Sequence, residues 1–98
     1  YVEDLCKIIP ILLEKHNTDV PLIVSPDENL SINTAINMFR DILKKEVKIV
    51  YNNSLDGQYR KDGSNEKLKQ IIGEFEFTRL EKGLEKTYEW YKNEKSIY

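Results

Sequence analysis

The chain has 98 residues, of which 40% are hydrophobic, so it is long enough for one small domain with a modest core. Its 17 acidic and 15 basic side chains give a net charge of −2, which argues against a nucleic-acid-binding domain, since such domains are usually basic. No apolar run approaches the ~20 residues of a membrane-spanning helix. The single cysteine excludes an internal disulfide and favours a reducing, cytoplasmic compartment.

A first helix is predicted over residues 2–16. Its apolar side chains recur at three-and-four spacing and form one stripe: Val2, Leu5, Ile9, Leu12 and Leu13. Pro10 removes one backbone hydrogen bond, so a kink or break is expected near Lys7. Cys6 is predicted to be a small buried or half-buried hydrophobe, and His16 a solvated residue at the helix end. Because the chain opens directly in this helical pattern, with no targeting segment, it is expected to be a fragment or processed piece of a longer protein.

Two short strands are predicted on either side of a second helix. Residues 21–24 form a short apolar run, and residues 47–51 are rich in β-branched side chains. Between them, Ser31 is predicted to cap a helix with a clear apolar stripe. The stripe consists of Ile32, Ala35, Ile36, Phe39, Ile42 and Leu43. Two short strands do not form a stable sheet alone, so their edges are expected to pair with strands from another part of the protein.

Two further helices are predicted in the second half. Ser64 is expected to cap a short helix that ends at Gly73, and residues 74–77 form an extended link. The capping box Thr78-Arg79-Leu80-Glu81 predicts the start of the last helix. The apolar stripe of that helix is Leu80, Leu84, Tyr88 and Tyr91. The predicted fold is therefore α/β, a small helix-rich lobe with two short strands that forms one domain over residues 1–98.

The loop from Asn52 to Gly63 carries the main candidate site. Arg60 and Lys61 are adjacent bases on a turn that begins at Asp56, and Lys48 lies on the preceding predicted strand. Charge-assisted bonds from such bases suit an anion, and a nucleotide diphosphate is the obvious biological one. A solvated, charged loop is the alternative interpretation. None of the four glycines belongs to a glycine-rich phosphate loop.

Several segments resemble the C-terminal third of GDP-L-fucose synthases, which are extended short-chain dehydrogenase/reductases. The more specific ones are Asp56-Gly57-Gln58-Tyr59-Arg60-Lys61 and the following Ser64-Asn65-Glu66-Lys67-Leu68. The opening Val2-Glu3-Asp4-Leu5 and residues 83–91 resemble segments shared by many sugar-nucleotide epimerases. Residues 23–32 fit the family's strand, turn and helix start. The resemblance covers nearly all of the chain.

The resemblance implies that this chain binds a GDP-sugar. Enzymes of the family convert GDP-4-keto-6-deoxy-D-mannose to GDP-L-fucose by epimerisation and NADPH-dependent reduction, and their C-terminal part holds the nucleotide sugar. Carried over by position, Lys61 and Arg60 would contact the GDP-sugar, Asp56 would shape the turn, and Lys48 falls at a basic strand position that touches substrate in relatives.

The resemblance also implies what this chain lacks. The dinucleotide-binding glycines and the Ser, Tyr-x-x-x-Lys catalytic set belong to an N-terminal Rossmann part, which would bind NADP. The chain itself is therefore expected to contain no catalytic, cofactor-binding or metal-binding residue. The parent is expected to be a cytoplasmic homodimer that binds neither nucleic acid nor membrane. Two alternatives stay open: a non-catalytic binding or interaction domain, and the same lobe of another sugar-nucleotide epimerase or dehydratase.

Overall fold

The computed structural model describes residues 1–52 and 62–94, and these residues contain four α-helices. In chain order the helices are α1 (Val2–Lys15), α2 (Ile32–Leu43), α3 (Glu66–Ile72) and α4 (Leu80–Glu94). They pack as two pairs, α1 against α3 and α2 against α4. None of these helices is long and apolar enough to cross a membrane.

The two predicted strands are wrong for the described part of the chain. Residues 21–24 and 47–51 are not helical, but neither forms a β-ladder anywhere in residues 1–52 and 62–94. A β-branched run favours extended backbone, yet a strand also needs a neighbour that accepts and donates its backbone hydrogen bonds. The described lobe is therefore helical, and the strand component of the predicted α/β class is not supported.

Helix α1 buries a different face from the one that its apolar stripe predicts. Ile8 is fully buried and Asp4 is 5% exposed, whereas four apolar side chains of the predicted stripe are exposed. Those four are Val2, Leu5, Ile9 and Leu13. Cys6 is also exposed, so its predicted burial is wrong. Pro10 lies inside a continuous helix, and the break expected near Lys7 does not occur.

Helices α2 and α4 form the second pair. The predicted cap of α2 is confirmed, because the Ser31 hydroxyl accepts a hydrogen bond from the Thr34 backbone N–H at 3.1 Å. The Phe39 ring of α2 meets the Tyr88 ring of α4 edge-to-face, with the ring centroids 6.1 Å apart. The apolar stripe of α2 thus takes part in packing, although Ile32, Ile36 and Phe39 stay exposed at 76%, 39% and 40%.

Helix α3 is short and contributes one fully buried side chain, Leu68, which is 1% exposed. Asn65 occupies its N-cap in place of the predicted Ser64, and the Asn65 side chain makes no capping hydrogen bond. The predicted end at Gly73 is confirmed. Gly73 has φ 76° and ψ −160°, a backbone conformation that only glycine adopts readily.

Gly73→Ala is expected to destabilise the protein by about 1–3 kcal/mol, because a side chain at this φ and ψ strains the backbone. Among the described residues, apart from the two chain neighbours, no atom lies within 4 Å of the position that the added Cβ would take, so the penalty comes from the backbone. Urea unfolding followed by circular dichroism measures the change. Gln70→Ala, at an exposed position of the same helix, is the control and should be nearly neutral. A neutral Gly73→Ala would contradict the assigned backbone conformation.

The N-terminus of α4 is held by carboxylates from two other segments. Asp4 of α1 accepts hydrogen bonds from the Thr78 backbone N–H and the Thr78 hydroxyl, each at 2.8 Å. Glu28 accepts a hydrogen bond from the Leu80 backbone N–H at 2.6 Å and pairs with Arg79 at 2.9 Å. The predicted start of the helix is confirmed to within two residues. Its N-terminus is stabilised by tertiary contacts, since carboxylates are strong acceptors for the positive end of a helix.

Candidate functional site

The structure describes one of the four residues predicted to bind substrate. Lys48 lies in the segment after α2, and its side chain is exposed. Asp56, Arg60 and Lys61 lie outside the described residues, so their roles remain predictions. Lys48 and the residues that surround it form the described part of the candidate site.

Lys48 lines an open surface depression of about 880 Å³ at the C-terminal end of α2. Seven residues line it: Arg40, Asp41, Lys44, Lys45, Glu46, Val47 and Lys48. Four of these are basic and two are acidic, so the lining carries a net charge of +2 (4 − 2), whereas the whole chain carries −2. We call this surface the basic depression. A local excess of positive charge on an acidic chain attracts anions to that place.

The backbone at the end of α2 brings these bases to one surface. Lys44 adopts a left-handed conformation with φ 53°, which ends α2 and turns the chain that follows. As a result Lys48 shares the depression with Arg40, which belongs to the last turn of the helix. Within the described residues, none of the four bases takes part in an ion pair.

The basic depression has a structural explanation as well as a functional one. The C-terminal end of a helix carries a partial negative charge, which Arg40 and the lysines just after the helix offset. The helix dipole therefore opposes anion binding here, and any attraction must come from the side chains. Arg40 offers a planar fork of donors, and Lys48 a compact charge on a flexible stem. This combination can bind a phosphate group.

The described glycines do not fit a dinucleotide cofactor. A phosphate loop needs glycines clustered between a strand and a helix. Here Gly73 ends α3, and Gly83 is buried within α4. The position that a Cβ on Gly63 would take lies 2.7 Å from the Ser25 hydroxyl, so Gly63 serves close packing. The binding of NADP by another part of the protein stays a prediction.

Comparison with known proteins finds GDP-L-fucose synthases. The chain is 28% identical over 94 residues to the GDP-L-fucose synthase of Dictyostelium discoideum. It is 30% identical over 95 residues to the probable GDP-L-fucose synthase of Drosophila melanogaster. Each alignment covers 93% of this chain but only 29% of the relative, so the chain spans less than a third of the length of these relatives. No family model matches the chain, and neither does any solved structure.

Sequence reasoning found Lys48 but missed its surroundings. Four bases fall within residues 40–48: Arg40, Lys44, Lys45 and Lys48. This density of bases in an acidic chain could have predicted the basic depression around Lys48. The local sequence does not predict that Asp4 and Glu28 accept hydrogen bonds from the start of α4, because their partners lie far along the chain.

Proposed function

We propose that this chain is the nucleotide-sugar-binding, C-terminal part of a GDP-L-fucose synthase. The full-length enzyme would convert GDP-4-keto-6-deoxy-D-mannose to GDP-L-fucose by epimerisation and NADPH-dependent reduction. The observation that carries this proposal is the similarity of 93% of the chain to two proteins of that name. Because the alignments cover 29% of each relative, the proposal assigns this chain one part of the activity.

Lys48 is proposed to contact the negatively charged diphosphate of the GDP-sugar. Its side chain is exposed in the basic depression, where Arg40 and Lys44 add to the positive charge. A diphosphate spreads its charge over several oxygens, and several separated bases can share it through charge-assisted hydrogen bonds. Asp56, Arg60 and Lys61 are proposed to complete the binding site.

The proposed contribution of this chain is binding and orientation. Holding the nucleotide end of the substrate places the sugar ring in one position relative to the reacting groups, which lowers the entropic part of the barrier. NADP, the proton-transfer groups and the dimer contacts of a cytoplasmic parent are assigned to the remainder of the enzyme. No residue of this chain is given a catalytic role.

Lys48→Ala is expected to weaken GDP binding about twofold to fivefold, as is typical for the loss of one exposed charge contact. Titration of the ¹⁵N-labelled 98-residue chain with GDP, followed by amide chemical shifts, gives the Kd. Lys61→Ala should weaken binding as well. Lys7→Ala, which removes an exposed base on α1 outside the depression, is the control and should leave the Kd unchanged.

Two results would contradict the proposal. The first is a GDP titration in which the amides of residues 40–48 do not shift, or in which Lys48→Ala and Lys7→Ala weaken binding equally. The second concerns the protein encoded by the complete reading frame. If that protein, supplied with GDP-4-keto-6-deoxy-D-mannose and NADPH, yields no GDP-L-fucose by chromatography, the assignment to this enzyme is wrong.

A further inference from the structure

Lys44 is the one residue other than glycine that has a positive φ in the described part of the chain. It directly follows α2 and has φ 53° and ψ 34°, the left-handed conformation. A left-handed residue at the end of a helix is usually glycine and sometimes asparagine. In other residues the Cβ comes too close to the neighbouring carbonyl oxygen. The backbone of Lys44 therefore costs free energy that a glycine at this position would avoid.

The charges around Lys44 add a second cost. Lys44 follows Arg40 by four residues, and side chains at that spacing lie on the same side of a helix. Two like charges in this arrangement repel each other. Within residues 1–52 and 62–94 Lys44 makes no ion pair that would offset the repulsion.

The end of α2 favours nearby bases but does not require Lys44. The partial negative charge at this end of the helix attracts cations. Arg40 in the last turn and Lys45 just after the helix already supply them. A glycine at position 44 would keep those two bases and remove the backbone cost. The helix end therefore explains the neighbouring bases better than it explains Lys44.

The side chain of Lys44 is open to ligands. Lys44 is exposed and lines the basic depression together with Arg40 and Lys48. It also lines an adjoining depression of about 780 Å³ between the end of α2 and α4. A residue held in an uncommon backbone conformation at a binding surface points to a function for its side chain.

We infer that Lys44 is a further anion-binding residue, which contacts the same diphosphate as Lys48, and that the chain keeps a lysine there at a cost in stability. The inference rests on the proposed function in taking a diphosphate as the ligand. A diphosphate has several charged oxygens, which the neighbouring bases Arg40, Lys44 and Lys48 can share through charge-assisted hydrogen bonds. Binding of the anion also relieves the repulsion between Arg40 and Lys44.

Lys44→Gly is expected to change stability and binding in opposite directions. Glycine removes the backbone cost, so the urea midpoint of the 98-residue chain should rise by roughly 0.5 M. The same substitution removes the ammonium group, so the Kd for GDP should rise about twofold to fivefold. Circular dichroism gives the midpoint, and amide chemical shifts give the Kd. A residue that only ended the helix would change the midpoint and leave the Kd unchanged.

Three further substitutions separate the charge from the backbone. Lys44→Asn removes the charge but suits the left-handed conformation, so it should keep the fold and weaken binding as Lys44→Gly does. Lys44→Arg keeps the charge and should leave the Kd close to that of the unsubstituted chain. Lys45→Ala removes the next base from the same depression. It is the matched control and should weaken binding less than Lys44→Asn.

Three results would overturn the inference. The first is a Kd that Lys44→Gly and Lys44→Asn leave unchanged although Lys48→Ala raises it. The second is a Lys45→Ala variant that binds as weakly as Lys44→Asn, which would reduce the effect to general positive charge. The third is a lower urea midpoint for Lys44→Gly, which would show that lysine is not held there at a cost.

Inorganic pyrophosphate separates failure of this inference from failure of the proposed function. Pyrophosphate has the two phosphate groups but neither guanine nor sugar. If Lys44→Asn weakens pyrophosphate binding while the protein encoded by the complete reading frame forms no GDP-L-fucose, the proposed activity is refuted and the Lys44 contact stands. A protein that forms GDP-L-fucose but binds GDP and pyrophosphate equally well with and without Lys44 would do the reverse.

Discussion

Ile8→Ala is expected to lower the free energy of unfolding of the 98-residue chain by about 2–4 kcal/mol. Ile8 is fully buried, so removing its outer atoms forfeits their burial and leaves a cavity that the surrounding helices fill only in part. Small domains have total stabilities of about 5–15 kcal/mol, so this loss is a large fraction of the whole. Leu68→Ala, at the other fully buried apolar position among the described residues, should behave in the same way.

The neighbouring residue provides the matched control for Ile8. Ile9→Ala removes the same atoms from the same helix, but Ile9 is 47% exposed in this lobe. Its loss should cost less than about 1 kcal/mol in the 98-residue chain. Urea unfolding followed by circular dichroism gives both values. If Ile9→Ala destabilised this chain as much as Ile8→Ala, the assignment of Ile8 to the buried face of α1 would be wrong.

Asp4→Ala is expected to destabilise the protein by about 2–3 kcal/mol, because hydrogen bonds to a charged acceptor are the stronger ones. The substitution removes both bonds to Thr78 and leaves the Thr78 N–H and hydroxyl without their acceptor at a partly buried position. It also releases the contact that ties α1 to the start of α4. Chemical denaturation measures the loss, as for Ile8.

A double-mutant cycle separates this contact from other effects of Asp4. Thr78→Val removes the hydroxyl and keeps the backbone N–H, so the cycle should show a coupling of about 1 kcal/mol between the two side chains. Additive effects, with no coupling, would rule out the hydroxyl hydrogen bond as a source of stability.

Asp27→Ala is the control for removing an acidic side chain. Asp27 pairs with Lys69 at 2.9 Å on the surface, where solvent screens the interaction, so little change in stability is expected. The hydrogen bond from Lys69 lowers the pKa of Asp27. Because the folded-state pKa is lowered, any stability from this pair is present above the unfolded-state pKa and disappears as pH falls through the lowered one. Measurements near pH 7 therefore include the full contribution of the pair.

The candidate site was predictable in part. The bases in residues 40–48 and the resemblance of the chain to GDP-L-fucose synthases are both contained in the sequence. The basic depression itself depends on the left-handed turn at Lys44, which brings Lys48 beside Arg40. Lysine has no strong preference for the left-handed conformation, so the local sequence did not predict the turn at Lys44.

The sequence alone determined where a helix begins or ends when the physical cause is local. Ser31 caps α2 through an amide three residues away, and Gly73 ends α3 through its own backbone freedom. The start of α4 differs, because the Thr78 segment predicted its position but carboxylates from Asp4 and Glu28 accept the hydrogen bonds there. The signals at Ser31 and Gly73 act within about one helical turn, so the chemistry of neighbouring residues is enough to establish them.

Tertiary structure alone decided which face of α1 is buried and whether the extended segments pair. The apolar stripe of α1 predicted the wrong buried face, because the bonds that orient the helix join Asp4 to Thr78 across 74 residues. The segments 21–24 and 47–51 have suitable residues for strands but no ladder partner among residues 1–52 and 62–94. Hydrophobic periodicity reports that a face is apolar, whereas the identity of the surface that covers it depends on contacts between distant parts of the chain.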